Sequence, residues 1–158
     1  MKIKIDHLRS GFEGISKRSR FLVELTQQDR LYWRPRVITN SLFPFSFGEY
    51  ILRSAAMVEQ TFGGITTRLW DDPFEWTLPE KLTTKESVMA YLADVDAASE
   101  RGFEFLRSDA DLDMQIPAPS ELRPIFAILV DTIGRAEHFQ GRAMSIFQLF
   151  SDEKLPRI

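Results

Sequence analysis

Ile125, Leu129, Thr132, Ala136, Phe139, Ala143, Ile146 and Phe150 recur at spacings of three and four along the C-terminal part of the chain. A strand would scatter these residues over both of its faces, whereas an α-helix stacks them on one. A long helix with a single apolar face must bury that face against something. Three further segments carry the same period and supply the partners. The first runs through Leu8, Phe12, Ile15, Ser19, Leu22 and Leu25, the second through Phe47, Ile51, Ser54, Val58, Phe62, Ile65 and Leu69, and the third through Val88, Leu92, Val95, Ala98 and Phe105. Strand-like alternation is confined to Lys2-Ile3-Lys4-Ile5, and no internal repeat is present. The pattern predicts an all-α protein, a four-helix bundle occupying 1–158 as a single domain. A chain of this length buries about 70% of the surface it exposes when unfolded.

Local signals place the ends and connections. Thr83-x-x-Glu86 has the spacing of a capping box and marks the start of the third helix. Ser120 is the expected N-cap of the fourth, with Pro124 tolerated in its first turn because the missing N–H is not needed there. Between the second and third helices, Asp71-Asp72-Pro73-Phe74-Glu75-Trp76-Thr77-Leu78-Pro79-Glu80 is long enough to be a crossover at the end of the bundle. Asp109 to Ser120, with Pro117 and Pro119, reads as the other non-helical linker. Trp33, Trp70 and Trp76 fall at helix ends or in the crossover, where a ring is buried while its N–H reaches a partner.

Charge narrows the class of partner. The 20 basic and 23 acidic residues are mixed along the chain, for a net charge of −3, so the concentrated basic footprint of a nucleic-acid surface is missing. Cysteine is absent, which removes disulfides, thiolate ligands and a cysteine nucleophile, and fits a reducing compartment. Met1 to Ser10 lacks the continuous apolar core of a secretory signal, and no apolar run is long enough to span a membrane. The expectation is a cytoplasmic protein with neither nucleic acid nor membrane as partner.

The stretch Arg135-Ala136-Glu137-His138-Phe139-Gln140-Gly141-Arg142 resembles, in degenerate form, the His-x-x-x-His-Arg-Gly-Gln motif of the last helix in the DinB/YfiT-like superfamily. Asp29-Arg30-Leu31-Tyr32-Trp33-Arg34-Pro35 is similar to that family's turn after the first helix, and Ser46-Phe47-Gly48-Glu49 to the opening of its second. The order of helices, turn, crossover and linker also matches. The resemblance implies a bundle with a three-histidine metal site between the second and fourth helices; members with that site include thiol-dependent transferases and isomerases. Carried over residue by residue, the second-helix ligand falls on Arg53, or on Ser54 if the register slips by one, and the fourth-helix pair on Arg135 and Phe139. Arg cannot give up its proton and Phe has no lone pair, while transition metals want imidazole, thiolate or carboxylate donors. Only His7 and His138 exist to rebuild such a site, so no metal, cofactor or catalytic residue is assigned.

On a helix, Asp131, Arg135, His138 and Arg142 form one polar stripe, and the family geometry would bring Arg53 opposite it, with Glu49 and Met57 a turn to either side. One reading is a pocket where Arg53 and Arg135 clamp a small anionic molecule bidentately, with His138 nearby and Phe43, Phe45 and Phe47 as apolar walls. Another is a structural ion pair, Asp131 bonding Arg135 along its helix or Arg53 across the interface. A third keeps a metal on Glu49 or Asp131 with His138, against the repulsion of two nearby arginines. In functional terms the alternatives to an anion-binding protein are a metal- and thiol-dependent transferase with atypical ligands and a purely structural or interaction dimer. There is no Gly-x-Ser-x-Gly elbow, and Gly63-Gly64 is not a phosphate loop. The 13 phenylalanines, Phe139, Phe147 and Phe150 among them, exceed what four helices comfortably bury and favour a homodimer.

Overall fold

Four helices account for most of the chain in a computed structural model that describes residues 1–35 and 45–157: α1 (Ile3–Leu25), α2 (Phe47–Thr67), α3 (Lys85–Phe105) and α4 (Ile125–Phe150). The architecture is the expected all-α four-helix bundle. In cross-section α1 packs on α3 and α4, and α2 packs on the same two, so that α1 and α2 sit on one diagonal and meet chiefly through core side chains. The closest-knit pair is α2 with α4. Among the described residues no helix is long and apolar enough to cross a membrane.

The apolar stripes meet as their spacing requires. Leu8, Phe12, Ile15, Ser19 and Leu22 of α1 are buried, as are Phe47, Ile51, Ser54, Val58, Phe62 and Ile65 of α2. At one level of the core Phe12, Phe62 and Phe103 form an aromatic triangle with centroids 5.1–5.7 Å apart in edge-on and tilted geometry. Gly102 makes room for it: a Cβ there would lie 2.1 Å from the Phe62 ring. Gly64 likewise lets the Trp70 indole fold back against α2, while the indole N–H donates to the Pro117 carbonyl at 2.9 Å.

Several boundary expectations are corrected. Lys2-Ile3-Lys4-Ile5 is not strand-like but enters the first turn of α1, with Ile5 fully buried. In α3 the buried stripe ends on Ser99, Gly102 and Phe103, while Phe105 is 43% exposed. Two residues along a helix is a rotation of about 200°, so the two phenylalanines cannot share a face. Leu69 lies beyond the end of α2 and is exposed, because Arg68 adopts a left-handed conformation (φ 63°) that terminates the helix. The capping box of α3 is Thr84 with Ser87, one residue beyond Thr83 and Glu86; each hydroxyl accepts the other's backbone N–H at 3.1 Å.

The linker after α3 also holds more structure than expected. A 3₁₀ turn, Asp109–Asp113, is followed by a small antiparallel hairpin, β1 (Gln115–Pro117) with β2 (Leu122–Pro124). Ser120 therefore sits in the hairpin turn and does not cap α4. Pro124 forces the preceding residue towards extended geometry, which delays the helix to Ile125, whose N–H bonds to the Met114 carbonyl at 3.1 Å.

The N-terminus of α1 is closed from a distance. Lys2 offers no side-chain cap, and the Asp109 carboxylate accepts instead from the N–H groups of Lys4 (3.2 Å) and Ile5 (3.1 Å). Desolvation works to raise the pKa of this carboxyl, but those N–H groups and the Lys4 charge hold it below its ordinary value. A depressed carboxylate contributes stability at pH values above its unfolded pKa of about 3.9 and loses it as pH falls through the lower folded value. Asp109→Ala should therefore be less stable than wild type in urea melts at pH 7, and the gap should narrow below pH ~4. An equal gap at both pH values would exclude the charged cap.

Candidate functional site

Helices α2 and α4 approach closely because small and hydroxyl side chains line their seam. Ser54, fully buried, donates its Oγ–H to the Ala136 carbonyl at 2.8 Å, and Thr61 and Thr132 share a hydrogen bond of 2.7 Å. Since Ser54 faces the seam, Arg53, about 100° around α2, projects to its side. There it joins Met57, Phe74 and a ridge of α4 (Val130, Asp131, Gly134, Arg135, His138 and Phe139) around an open cleft of about 620 Å³.

Arg53 has an unusual setting. Its guanidinium carbon lies 3.7 Å from the centre of the Phe45 ring and 4.7 Å from that of Phe74, which places the cation against two aromatic faces. Its Nε is buried without a hydrogen-bond partner, and among the described residues no carboxylate pairs with it. Phe74 is held where Arg53 can meet it by the 3₁₀ turn Pro73–Glu75, whose Asp72 cap accepts the Phe74 N–H at 3.0 Å. Arg135, exposed on α4, has no ion pair among the described residues either.

The expected pairing of Asp131 with Arg135 or Arg53 is overturned. Asp131 instead takes its ion pair from Arg123 on β2, an element that the sequence reading did not contain. With that pair neutral, Arg53 and Arg135 leave the cleft with excess positive charge. His138 accepts the Arg142 Nε–H on its Nε2 at 3.0 Å, so the ring in this arrangement carries its proton on Nδ1. Arg142 is half-buried, with its guanidinium 5.9 Å from the centre of the Tyr50 ring, and does not line the cleft. The cleft therefore gathers Arg53, Asp131, Arg135 and His138, and the fifth candidate, Arg142, supports His138 from outside.

The aromatic walls also differ from expectation. Phe45 stacks on Arg53 as described, Phe47 is fully buried against Phe147 and Phe150, and Phe43 lies outside the described residues. Phe74, Val130 and Gly134 were missed. The Asp-Pro sequence before Phe74 is the one signal that could have pointed there, since it favours a tight turn presenting the next residue.

The metal site implied by the resemblance does not fit these residues. Arg53, Arg135 and Phe139 do converge on one cleft, but none of them offers a donor. The nearby carboxylates are committed elsewhere, Glu49 to the Ser46 capping box and to Arg34 at 2.8 Å, Asp131 to Arg123. Among the described residues no group of three or more His, Cys, Asp or Glu side chains could hold a metal ion. Comparison of the chain with protein-family models, curated proteins and solved structures returns no match.

Not all of the motif helix serves the cleft. Gln140, buried on the opposite side of α4, donates to the Ile15 carbonyl (2.7 Å) and Ser19 Oγ (2.8 Å) and accepts from Arg18 Nε (2.8 Å). It ties α4 to α1. Truncation would leave buried partners unsatisfied and open a void, so Gln140→Ala should lower unfolding free energy by about 2–4 kcal/mol. His138→Ala, at an exposed position, should change it by less than about 1 kcal/mol. Chemical denaturation of both variants checks the division between scaffold and site; comparable losses would refute it.

Proposed function

We propose that this chain is a DinB-like bundle that has exchanged a three-histidine metal site for an anion site, in which Arg53 and Arg135 clamp a small phosphate or carboxylate compound. The observation that carries the reading is Arg53, pinned between Phe45 and Phe74 with a buried Nε and no carboxylate among the described residues. A guanidinium covered on its faces has only its edge left for hydrogen bonding, the geometry that suits a planar bidentate oxyanion. Ordering by the two rings lowers the entropy lost on binding, and Arg135 supplies a second, more adaptable charge. The cleft offers recognition chemistry, and the reading is of a cytoplasmic binding protein. A metal- and thiol-dependent transferase would need ligands that the cleft residues do not provide.

Thermal shift against pyrophosphate, phosphate, citrate and succinate tests the clamp at constant ionic strength. At least one should raise Tm in wild type by about 3 °C at tenfold excess over Kd, and the shift should vanish in Arg53→Ala. A shift retained in that variant, or none in wild type, refutes the clamp. The family reading has its own test. Arg53→His, Arg135→His and Phe139→His combined should create nickel or zinc binding with the helical circular dichroism intact; a folded triple variant that binds no metal refutes the alignment.

A homodimer is part of the same proposal, favoured by the outer face of α4. Phe126 and Leu149 are 44% and 58% exposed, and Gly141 has open space where a Cβ would be. Such a face lets a second helix approach closely. Sedimentation velocity at 100 µM should find a dimer that Leu149→Glu weakens; a wild-type monomer at that concentration overturns it.

A further inference from the structure

A second cavity lies on the other side of the bundle, between α1, α2 and α3. It has a volume of about 250 Å³ and is walled chiefly by Phe12, Ile15, Val58, Leu92 and Val95. We propose that it is a binding site for an uncharged apolar molecule about the size of one or two aromatic rings, independent of the α2–α4 cleft.

The cavity exists because small side chains occupy positions where the helical stripes would otherwise carry bulk. Ser16 and Ser19 face it from α1, Ala55 from α2 and Ser99 from α3. The core around it is otherwise tightly filled, with the Phe12–Phe62–Phe103 triangle beside it. The space opens to solvent past Glu13 and Lys17, and a larger residue at any of the four positions would fill its apolar floor. Roughly 150 Å³ is enough for benzene, so this space has room for a somewhat larger guest.

The rim selects against charge. Arg20 on α1 pairs with Asp96 on α3 at 2.5 Å, and its Nε lies 3.4 Å from Ser16 Oγ. Arg9 similarly bridges to Glu100 at 3.0 Å. Both bridges join α1 to α3 and each is internally neutral, and Glu13 and Lys17, exposed on α1, add one charge of each sign, so the rim carries no net charge. This is the opposite of the α2–α4 cleft, where Arg53 and Arg135 have no ion pair among the described residues. With apolar walls and a balanced rim, the guest is neutral and held by burial of its surface.

Indole and naphthalene serve as probes, with phenylacetate as a charged comparison. Isothermal titration should give saturable 1:1 binding of the neutral probes by the full chain, and ¹³C-methyl spectra should show shifts concentrated at Ile15, Val58, Leu92 and Val95. Ser99→Leu, which fills the cavity, should weaken binding at least about tenfold, an affinity change of one full decade. Arg53→Ala should leave it unchanged, so failure of this site and failure of the anion clamp are separately visible. Ser16→Leu gives the same reading should Ser99→Leu fail to fold. Absence of saturable binding, methyl shifts centred elsewhere, or undiminished binding by the folded filled variant would overturn the proposal. So would phenylacetate binding as tightly as indole.

Discussion

The hydroxyl and methyl seam between α2 and α4 is the constraint from which the rest of the geometry follows. Ser54 bonded to the Ala136 carbonyl and Thr61 bonded to Thr132 bring the two helices together with small groups, and they fix the rotation of each about its axis. Once Ser54 is turned inward, Arg53 is turned to the flank, and Ala136 in the seam sets Arg135 and His138 along the facing ridge. A buried hydroxyl finds its best partner in only one rotational register, because an unmatched one is left without compensation. The seam thus orients charged residues that make no contact with it.

The two faces of α4 divide the labour. One carries the cleft; the other carries Gln140, which satisfies three hydrogen bonds with α1 inside the core. Arg18, which donates to Gln140, also bonds Glu137 at 3.1 Å, so the surface and buried ends of this network share one guanidinium. The helix that displays the cleft residues is held from behind by a polar clasp, and its apolar stripe is free to fill the core. Rigid backing of this kind is what allows an exposed arginine or histidine to keep a defined position.

The helices and their inward faces were legible because burial in a bundle repeats with the helical period, and Leu8, Phe12, Ile15 and Leu22 state that period plainly. The end of α3 was not, since Phe103 and Phe105 are chemically identical and only the packing partners choose between them. The starts of α1 and α4 were misread for a different reason: Asp109 and Met114, which complete them, are remote or flank a hairpin with almost no sequence signature. The convergence of Arg53 and Arg135 was accessible only through the family resemblance, because periodicity places residues on faces and does not pair the faces. The partner of Asp131 stayed hidden for the same reason that β2 did. Three residues ending in a proline carry too little pattern to announce a strand.

The cap on α1 has a consequence for the order in which the molecule assembles. The groups that close its first turn, the Asp109 carboxylate on Lys4 and Ile5 and the Asp109 N–H on the Met1 carbonyl, come from just beyond α3, more than a hundred residues away. During synthesis α1 emerges with its leading turn unfinished and must wait, frayed at that end, for two further helices to be made. Ile5, fully buried in the finished bundle, is meanwhile left in water. The earliest of the four helices is thus among the last of them to be complete, and in the native state the opening of that turn is coupled to the loosening of the segment after α3.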